Sequence, residues 1–141
     1  MQINVFYKTK LPKYYRVSGK YKAVVSAALG KLARRRGEVN LIVLNPKEMR
    51  ALNKKFLGHD YVTDAISFNY PFDGGAFAPF GDVFICHGQA KKQARNGALF
   101  EMLTLAAHGA LHLAGWQDDT LKKRTAMNNM AEKLVRKVLK N

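Results

Sequence analysis

The amino-acid sequence predicts an α+β (α/β-like) fold, with a small mixed β-sheet of about four strands packed with helices, one of them buried and carrying two histidines. A chain of 141 residues fits one domain, and its 48% hydrophobic content is enough for one sizeable core. Short runs rich in Val, Ile and Phe alternate with longer segments of helical periodicity. Neither a repeat nor a low-complexity tract divides the chain, so a single domain over residues 1–141 is expected.

The first half of the chain alternates strands with helices. An apolar stripe at helical spacing predicts the first helix. Asn45-Pro46 opens the second helix, because proline is tolerated in a first helical turn, and Gly58 ends it. The predicted elements are strands at 3–7 and 39–44 and helices at 20–36 and 46–56.

The second half adds two strands and then three consecutive helices. The middle helix of the three is very apolar and ends at Gly115, whereas the last is amphipathic. The order β-α-β-α-β-β-α-α-α suggests an α+β or α/β domain with one modest sheet. The predicted elements are strands at 64–68 and 81–86 and helices at 87–97, 99–114 and 119–139.

A loop over 69–80 separates the last two predicted strands. It contains two prolines, a Gly-Gly pair and four aromatic residues, which are Tyr70, Phe72, Phe77 and Phe80. Long loops inside compact domains are often functional. The aromatic rings could stack on unpaired bases or fill the core beneath the loop, and core packing is favoured for at least two of them.

Charge is the strongest compositional signal. Lys and Arg number 24 against 10 Asp and Glu, so the formal net charge is +14. Such an excess favours a polyanionic partner, because each phosphate contact releases condensed counterions. Solubility alone would also account for the excess, and charge does not distinguish RNA from DNA or lipid.

The sequence predicts a cytoplasmic protein that does not enter a membrane. It has no uncharged apolar run of the ~20 residues needed for a membrane span, and its N-terminus lacks the apolar stretch of a signal peptide. The lone Cys86 excludes an internal disulfide and a cysteine-based zinc cluster. Any metal site must therefore be built from His, Asp and Glu.

The segment 108–118, His-Gly-Ala-Leu-His-Leu-Ala-Gly-Trp-Gln-Asp, carries the candidate chemistry. His108 and His112 are four residues apart on the buried helix, so their imidazoles project within about 40° of each other, one turn apart. One tetrahedral ion can bind both. Unpaired buried imidazoles are costly, so a metal site is favoured over a pair of core histidines.

A third ligand is expected just beyond this helix. Gly115 lets the chain reverse, and Asp118 can then swing back towards the histidines. Asp119 is the alternative, although the spacing favours Asp118 as the ligand and Asp119 as the N-cap of the last helix. Three protein ligands and an open position are typical of a catalytic zinc site, so one divalent ion per chain is expected, with Zn²⁺ as the first choice.

The glutamate that serves as general base in zincin peptidases is absent. Gly109 follows His108 where those enzymes carry the glutamate. Glu101 would share the helix face of His108, and could either orient a ligand or face solvent. No catalytic side chain is therefore predicted, and the expected nucleophile is a metal-bound water whose pKa the ion lowers to about 7.

These motifs resemble those of a known family. The segment 108–118 is similar to the H-G-x-L-H-L-x-G-[YW]-D-H signature of the YbeY endoribonucleases. Residues 62–68, Val-Thr-Asp-Ala-Ile-Ser-Phe, resemble the family's P-T-D-V-L-S-F, and residues 81–86, Gly-Asp-Val-Phe-Ile-Cys, resemble its G-D-I-V-I-S. In order and spacing, the resemblance covers roughly residues 37–130.

The resemblance implies a single-strand-specific metallo-endoribonuclease. The family acts in 3′-end maturation of small-subunit ribosomal RNA and in ribosome quality control, so the expected partners are single-stranded ribosomal RNA and the small ribosomal subunit. Its metal, usually taken as zinc, is held by three histidines. By position, these fall on His108, His112 and Asp118.

The chain departs from the family pattern at three positions. Aspartate stands at 118 in place of the third histidine, which lowers the net charge of the site and weakens its preference for zinc relative to harder ions such as Mn²⁺. Gln117 replaces the aspartate that normally precedes that ligand, and Leu57 replaces the arginine of the family's R-G-K-D segment. The candidate substitutes for that arginine are Lys54, Lys55 and His59.

Two other functions remain as alternatives. A zincin-like metallopeptidase would fit the histidine spacing, but the missing glutamate and the positive charge count against it. A non-catalytic RNA- or ribosome-binding protein would use the metal structurally. This last alternative differs from the nuclease in its fourth coordination position, which the protein itself would fill.

Overall fold

The computed structural model describes residues 1–70 and 80–140, and it confirms the predicted α+β fold, with a four-stranded mixed sheet packed with helices. The strands are β1 (Gln2–Tyr7), β2 (Glu38–Leu44), β3 (Ala65–Asn69) and β4 (Phe80–Cys86). The helices are α1 (Ser18–Leu29), α2 (Pro46–Leu57), α3 (His87–Gln93), α4 (Ala98–Leu113) and α5 (Leu121–Lys140). Within these described ranges, no helix has the length and apolar character that crossing a membrane requires.

The sheet has the strand order β1-β2-β4-β3. β1, β2 and β4 are parallel, whereas β3 pairs antiparallel with β4. Side chains alternate between the two faces of a strand, so Val39, Leu41 and Val43 of β2 join one hydrophobic cluster and Ile42 and Leu44 join another. The sheet is therefore buried on both faces where β2 crosses its centre.

The larger cluster lies between the sheet and the helices α1, α4 and α5. α4 contacts α1, α5, β3 and β4, and nine of its 16 residues are buried. This central position confirms the prediction of a buried helix that carries His108 and His112. The smaller cluster includes Met49 of α2, which packs with buried residues of β2, β3 and β4.

Residues with known capping preferences stand at both ends of α2. Asn45 Oδ1 accepts the N–H of Glu48 at 2.8 Å, and Glu48 Oε1 accepts the N–H of Asn45 at 3.1 Å, which makes a capping box. Gly58 ends the helix with φ +72°, a conformation that costs glycine little. The predicted start at Pro46 and stop at Gly58 are both confirmed.

Two helices are shorter than the sequence predicts. The helix expected over 20–36 ends at Leu29, because Gly30 adopts φ +61° and ψ −126°, and Gly30–Arg34 forms a 3₁₀ helix instead. The helix expected over 87–97 ends at Gln93, because Ala94 is extended. Both predictions of helix length were wrong, and the second error concerns residues that line the site described below.

Candidate metal centre

His108 and His112 lie one turn apart on the same side of α4. Their ring centroids are 4.9 Å apart, and their ring planes are inclined by 76°. The side chains are 22% and 31% exposed. Both imidazoles are therefore largely shielded from water and still accessible to a ligand, while the buried residues of α4 hold their helix in place.

The turn after α4 brings Asp118 back to the two histidines. Gly115, with φ +100°, donates its N–H to the carbonyl oxygen of His112 at 3.0 Å, which helps the chain to reverse. Asp118 Oδ2 then lies 3.4 Å from His112 Nε2 and 3.9 Å from His108 Nε2. The structure thus brings together all three side chains that the sequence analysis selected.

Asp119 lies outside this group. Its Oδ1 is 3.3 Å from Lys123 Nζ. The helix α5 begins one residue later than an Asp119 cap requires, and its cap is Thr120, whose Oγ1 accepts the N–H of Lys123 at 3.1 Å. The prediction that Asp119 caps the last helix was therefore wrong, and its carboxylate forms an exposed ion pair instead.

The three side chains fit a divalent metal ion. One ligand atom from each of His108, His112 and Asp118 lies within 4.8 Å of the other two. Two imidazole nitrogens and a carboxylate oxygen are donors that zinc and other first-row divalent ions accept. Burial lowers the pKa of the His108 imidazole, and His112 lowers it further, against the opposite effect of Asp118. These influences favour the neutral imidazole, which is the form that binds a metal.

Gly109 lets α4 approach the sheet behind the histidines. A Cβ built on Gly109 would overlap Val83 Cγ1 and lie 3.0 Å from Ser67 Oγ. Ser67 Oγ also donates a hydrogen bond to the Gly109 carbonyl oxygen at 3.1 Å. The position after His108 therefore faces β3 and β4 at close range, so a glutamate there would collide with the sheet.

We expect Gly109→Ala to lower the free energy of unfolding by about 1–3 kcal/mol, the usual cost of overpacking a core. Urea denaturation of the two proteins measures this difference. Gly19→Ala is the matched control, because Gly19 lies in α1 and its added Cβ would meet nothing within 4 Å. The control should be neutral or slightly stabilising, since alanine favours a helix over glycine. Equal stability of Gly109→Ala and wild type would contradict the packing argument.

A cavity of about 830 Å³ opens in front of the three side chains. Its lining comes from β3 and α2 to α5 and from the segments that follow α2, α3 and α4. Among the described residues that line it, Arg95 is the one Lys or Arg. The lining carboxylates are those of Asp64, Glu101, Asp118 and Glu132. The cavity is thus locally acidic in a chain of net charge +14, and a divalent ion would offset part of that negative charge.

Gln93 joins two of these carboxylates. Its Nε2 donates to Asp64 Oδ2 at 2.9 Å and to Glu101 Oε2 at 2.8 Å. The sequence left open whether Glu101 orients a metal ligand or faces solvent. In the structure Glu101 lines the cavity, and its carboxylate accepts a hydrogen bond from the Gln93 amide. Sequence reasoning missed Gln93 because a polar residue at the end of a short helix gives no periodic signal.

The structure also shows which residues surround the position of the family arginine. Leu57 lines the cavity and is 49% exposed, and His59 lines it as well. Lys54 and Lys55 do not line it. Arg95, which follows α3 and which the sequence analysis overlooked as part of a helix, supplies the cavity's guanidinium.

The aromatic loop predicted over 69–80 falls mostly outside the described residues. Phe72 and Phe77 lie outside them, and so does the side chain of Phe80. Tyr70 is described, and its hydroxyl donates to Asp82 Oδ2 at 2.9 Å. Whether the aromatic rings of this loop stack on bases or pack in the core is not tested, and both stay predictions.

The chain is similar to known proteins over nearly its whole length. Residues 6–139 match the family model described as Endoribonuclease YbeY. The protein named Endoribonuclease YbeY from Elusimicrobium minutum is 54% identical, over 98% of this chain and 100% of its own. Its namesake from Chlorobaculum tepidum is 37% identical, over 74% of this chain and 77% of its own. A solution structure from Thermotoga maritima, 24% identical, has the same fold, with a TM-score of 0.61 over 95% of this chain and 89% of that chain.

Proposed function

Because the chain belongs to the YbeY endoribonuclease family, we propose that it is a metal-dependent endoribonuclease that cleaves single-stranded RNA. The observation that carries the proposal is the group formed by His108, His112 and Asp118 in the wall of an open cavity. The proposed role is 3′-end maturation of small-subunit ribosomal RNA and ribosome quality control, with the small subunit as partner. A ribosomal substrate is met in the cytoplasm, where we propose that this chain acts as one domain over residues 1–141.

The ion is proposed to bind His108 Nε2, His112 Nε2 and Asp118 Oδ2, one ion per chain. When bound, a divalent ion lowers the pKa of a coordinated water and polarises a phosphate oxygen. Zn²⁺ is the first choice for this donor set, and the anionic oxygen of Asp118 makes Mn²⁺ a stronger competitor than it would be at three imidazoles. The three ligands that the described residues supply would leave a coordination position for the substrate, as in a catalytic rather than a closed structural site.

Other residues of the cavity would bind and orient the RNA. The Arg95 guanidinium can hold a phosphate with two parallel hydrogen bonds. His59 and Tyr61 line the cavity with their rings stacked, 5.4 Å apart and inclined by 11°, and such a pair offers a face on which an unpaired base can stack. We propose that Arg95 takes the place of the arginine that the family carries at Leu57.

The geometry gives no support to the metallopeptidase alternative. A zincin needs a glutamate directly after its first histidine, and the contact of Gly109 with Val83 and Ser67 leaves no room for one. The cavity is open to solvent beside the candidate ligands, which favours a substrate-binding site over a purely structural metal site.

The proposal is tested on the wild-type chain purified without a histidine tag. We expect about one divalent ion per chain by mass spectrometry and cleavage of a single-stranded RNA, with the same sequence left intact in a duplex. A chelator should stop the reaction, and Zn²⁺ or Mn²⁺ should restore it. Metal-loaded protein that leaves every single-stranded RNA uncut would refute the proposal.

A further inference from the structure

A row of cations runs along α5 beside the cavity. Lys133, Arg136, Lys137 and Lys140 are exposed and line one shallow groove on this helix, and they are referred to below as the α5 basic strip. Their spacings of three and four residues place them on one helix face. Glu132 is the one carboxylate among the described residues lining the same groove. The strip is therefore a continuous positive surface.

The α5 basic strip begins at the rim of the cavity. Glu132 lines both the cavity and the groove. Arg136 Nη2 lies 3.8 Å from Glu132 Oε2, and the Arg136 guanidinium lies 5.1 Å from the ring centroid of Phe100, which also lines the cavity. A carboxylate and an aromatic face thus hold this cation where the two surfaces meet.

The charges of the two surfaces are opposite. Four carboxylates line the cavity beside the guanidinium of Arg95, so before a metal binds, the cavity repels a phosphate. The strip carries four cations, each able to contact a phosphate and release counterions. An RNA strand would accordingly be held mainly by its contacts with α5, and it would reach the candidate metal centre in the cavity.

We propose that the α5 basic strip binds the phosphodiester backbone of the RNA strand that enters the cavity, an inference that rests on the proposed function. From Glu132 to Lys140 the helix rises about 12 Å at ~1.5 Å per residue. Over that length the strip presents four cations, so it can contact several consecutive phosphates of one strand. RNA is favoured over an acidic protein because the strip adjoins the cavity that holds the proposed site of phosphodiester cleavage.

The test compares two variants that each lose three positive charges. The strip variant is Lys133→Gln, Lys137→Gln and Lys140→Gln, which leaves Arg136 and its ring contact in place. The matched control is Lys31→Gln, Arg34→Gln and Arg35→Gln, three exposed residues in or just after the 3₁₀ helix Gly30–Arg34 that line neither the cavity nor the groove. Fluorescence anisotropy with a 2′-O-methyl RNA, checked by gel electrophoresis to stay intact during the measurement, measures affinity over a series of salt concentrations.

We expect the strip variant to bind the long RNA about tenfold more weakly at low salt, with a salt slope shallower by about two for three lost phosphate contacts. The control should stay close to wild type. In cleavage assays, the ratio of kcat/KM for the long RNA to that for a trinucleotide should fall about tenfold in the strip variant. Equal affinity losses in both variants, or wild-type binding by the strip variant, would overturn the inference.

The same experiment separates this inference from the proposed function. If the wild type binds RNA through the strip and never cleaves it, the nuclease proposal fails and the strip stands as an RNA-binding surface. If the wild type cleaves RNA and the strip variant retains the wild-type preference for long RNA, the inference about α5 fails alone.

Discussion

Replacing His112 by alanine is expected to remove the bound ion and to slow cleavage of single-stranded RNA by at least about a thousandfold. The substitution leaves one imidazole and one carboxylate, too few to hold a first-row ion firmly. The lost transition-state stabilisation is several kcal/mol, and each 1.36 kcal/mol is a factor of ten in rate. Metal content by mass spectrometry and single-turnover cleavage measure the two effects independently.

His59→Ala is the matched control for this experiment. His59 lines the same cavity but lies outside the His108, His112 and Asp118 group, so its removal should leave the ion in place. Urea denaturation of both variants shows that each is folded. A His112→Ala protein that retains one ion per chain, or that cuts RNA at the wild-type rate, would rule out the metal centre as described.

Replacing Asp118 by asparagine is expected to weaken metal binding about a hundredfold, equivalent to ~2.7 kcal/mol. Asp118 Oδ2 lies within 4 Å of both imidazole nitrogens, and the change keeps the shape of the side chain while removing its negative charge. Titration of the metal-free protein with Zn²⁺ measures the affinity. Asp118→His should retain the ion and shift the preference from Mn²⁺ towards Zn²⁺, because a third imidazole is a softer ligand.

Asp119→Asn is the control, since the Asp119 carboxylate pairs with Lys123 and not with the histidines. An exposed ion pair of this kind contributes little to stability, so this variant should behave as wild type. If Asp119→Asn lost the ion and Asp118→Asn kept it, the assignment of the third ligand would be reversed.

Local chemistry made much of the fold predictable. The start and end of α2 are set by residues within one short segment, and the structure has both ends where the sequence indicated. These residues are Asn45, Pro46 and Glu48 at the start and Gly58 at the end. Gly30 had the opposite effect: a helical stripe continued past it, yet its positive φ ended α1 at Leu29. Periodicity records which face is buried, but a single backbone conformation decides where a helix stops.

In the candidate site, too, local spacing predicts some contacts and tertiary packing decides the others. The approach of His108 to His112 follows from a four-residue spacing on one helix, so the sequence alone determined it, together with the family to which the chain belongs. The contact of Asp118 with them needed a turn whose geometry the sequence only suggested. The bridge from Asp64 through Gln93 to Glu101 joins the residue before β3 to α3 and α4, and no spacing along the chain encodes it.

The tertiary structure likewise decided what surrounds the candidate metal centre. Gly109 is required by the sheet packed behind α4, which excludes a glutamate for a steric reason that the sequence does not reveal. The position of the α5 basic strip against the cavity depends on how α5 packs on α4. The sequence determined the two candidate ligands that lie one helix turn apart and the overall positive charge. The environment of those side chains depended on long-range packing, which brings together residues from separate elements.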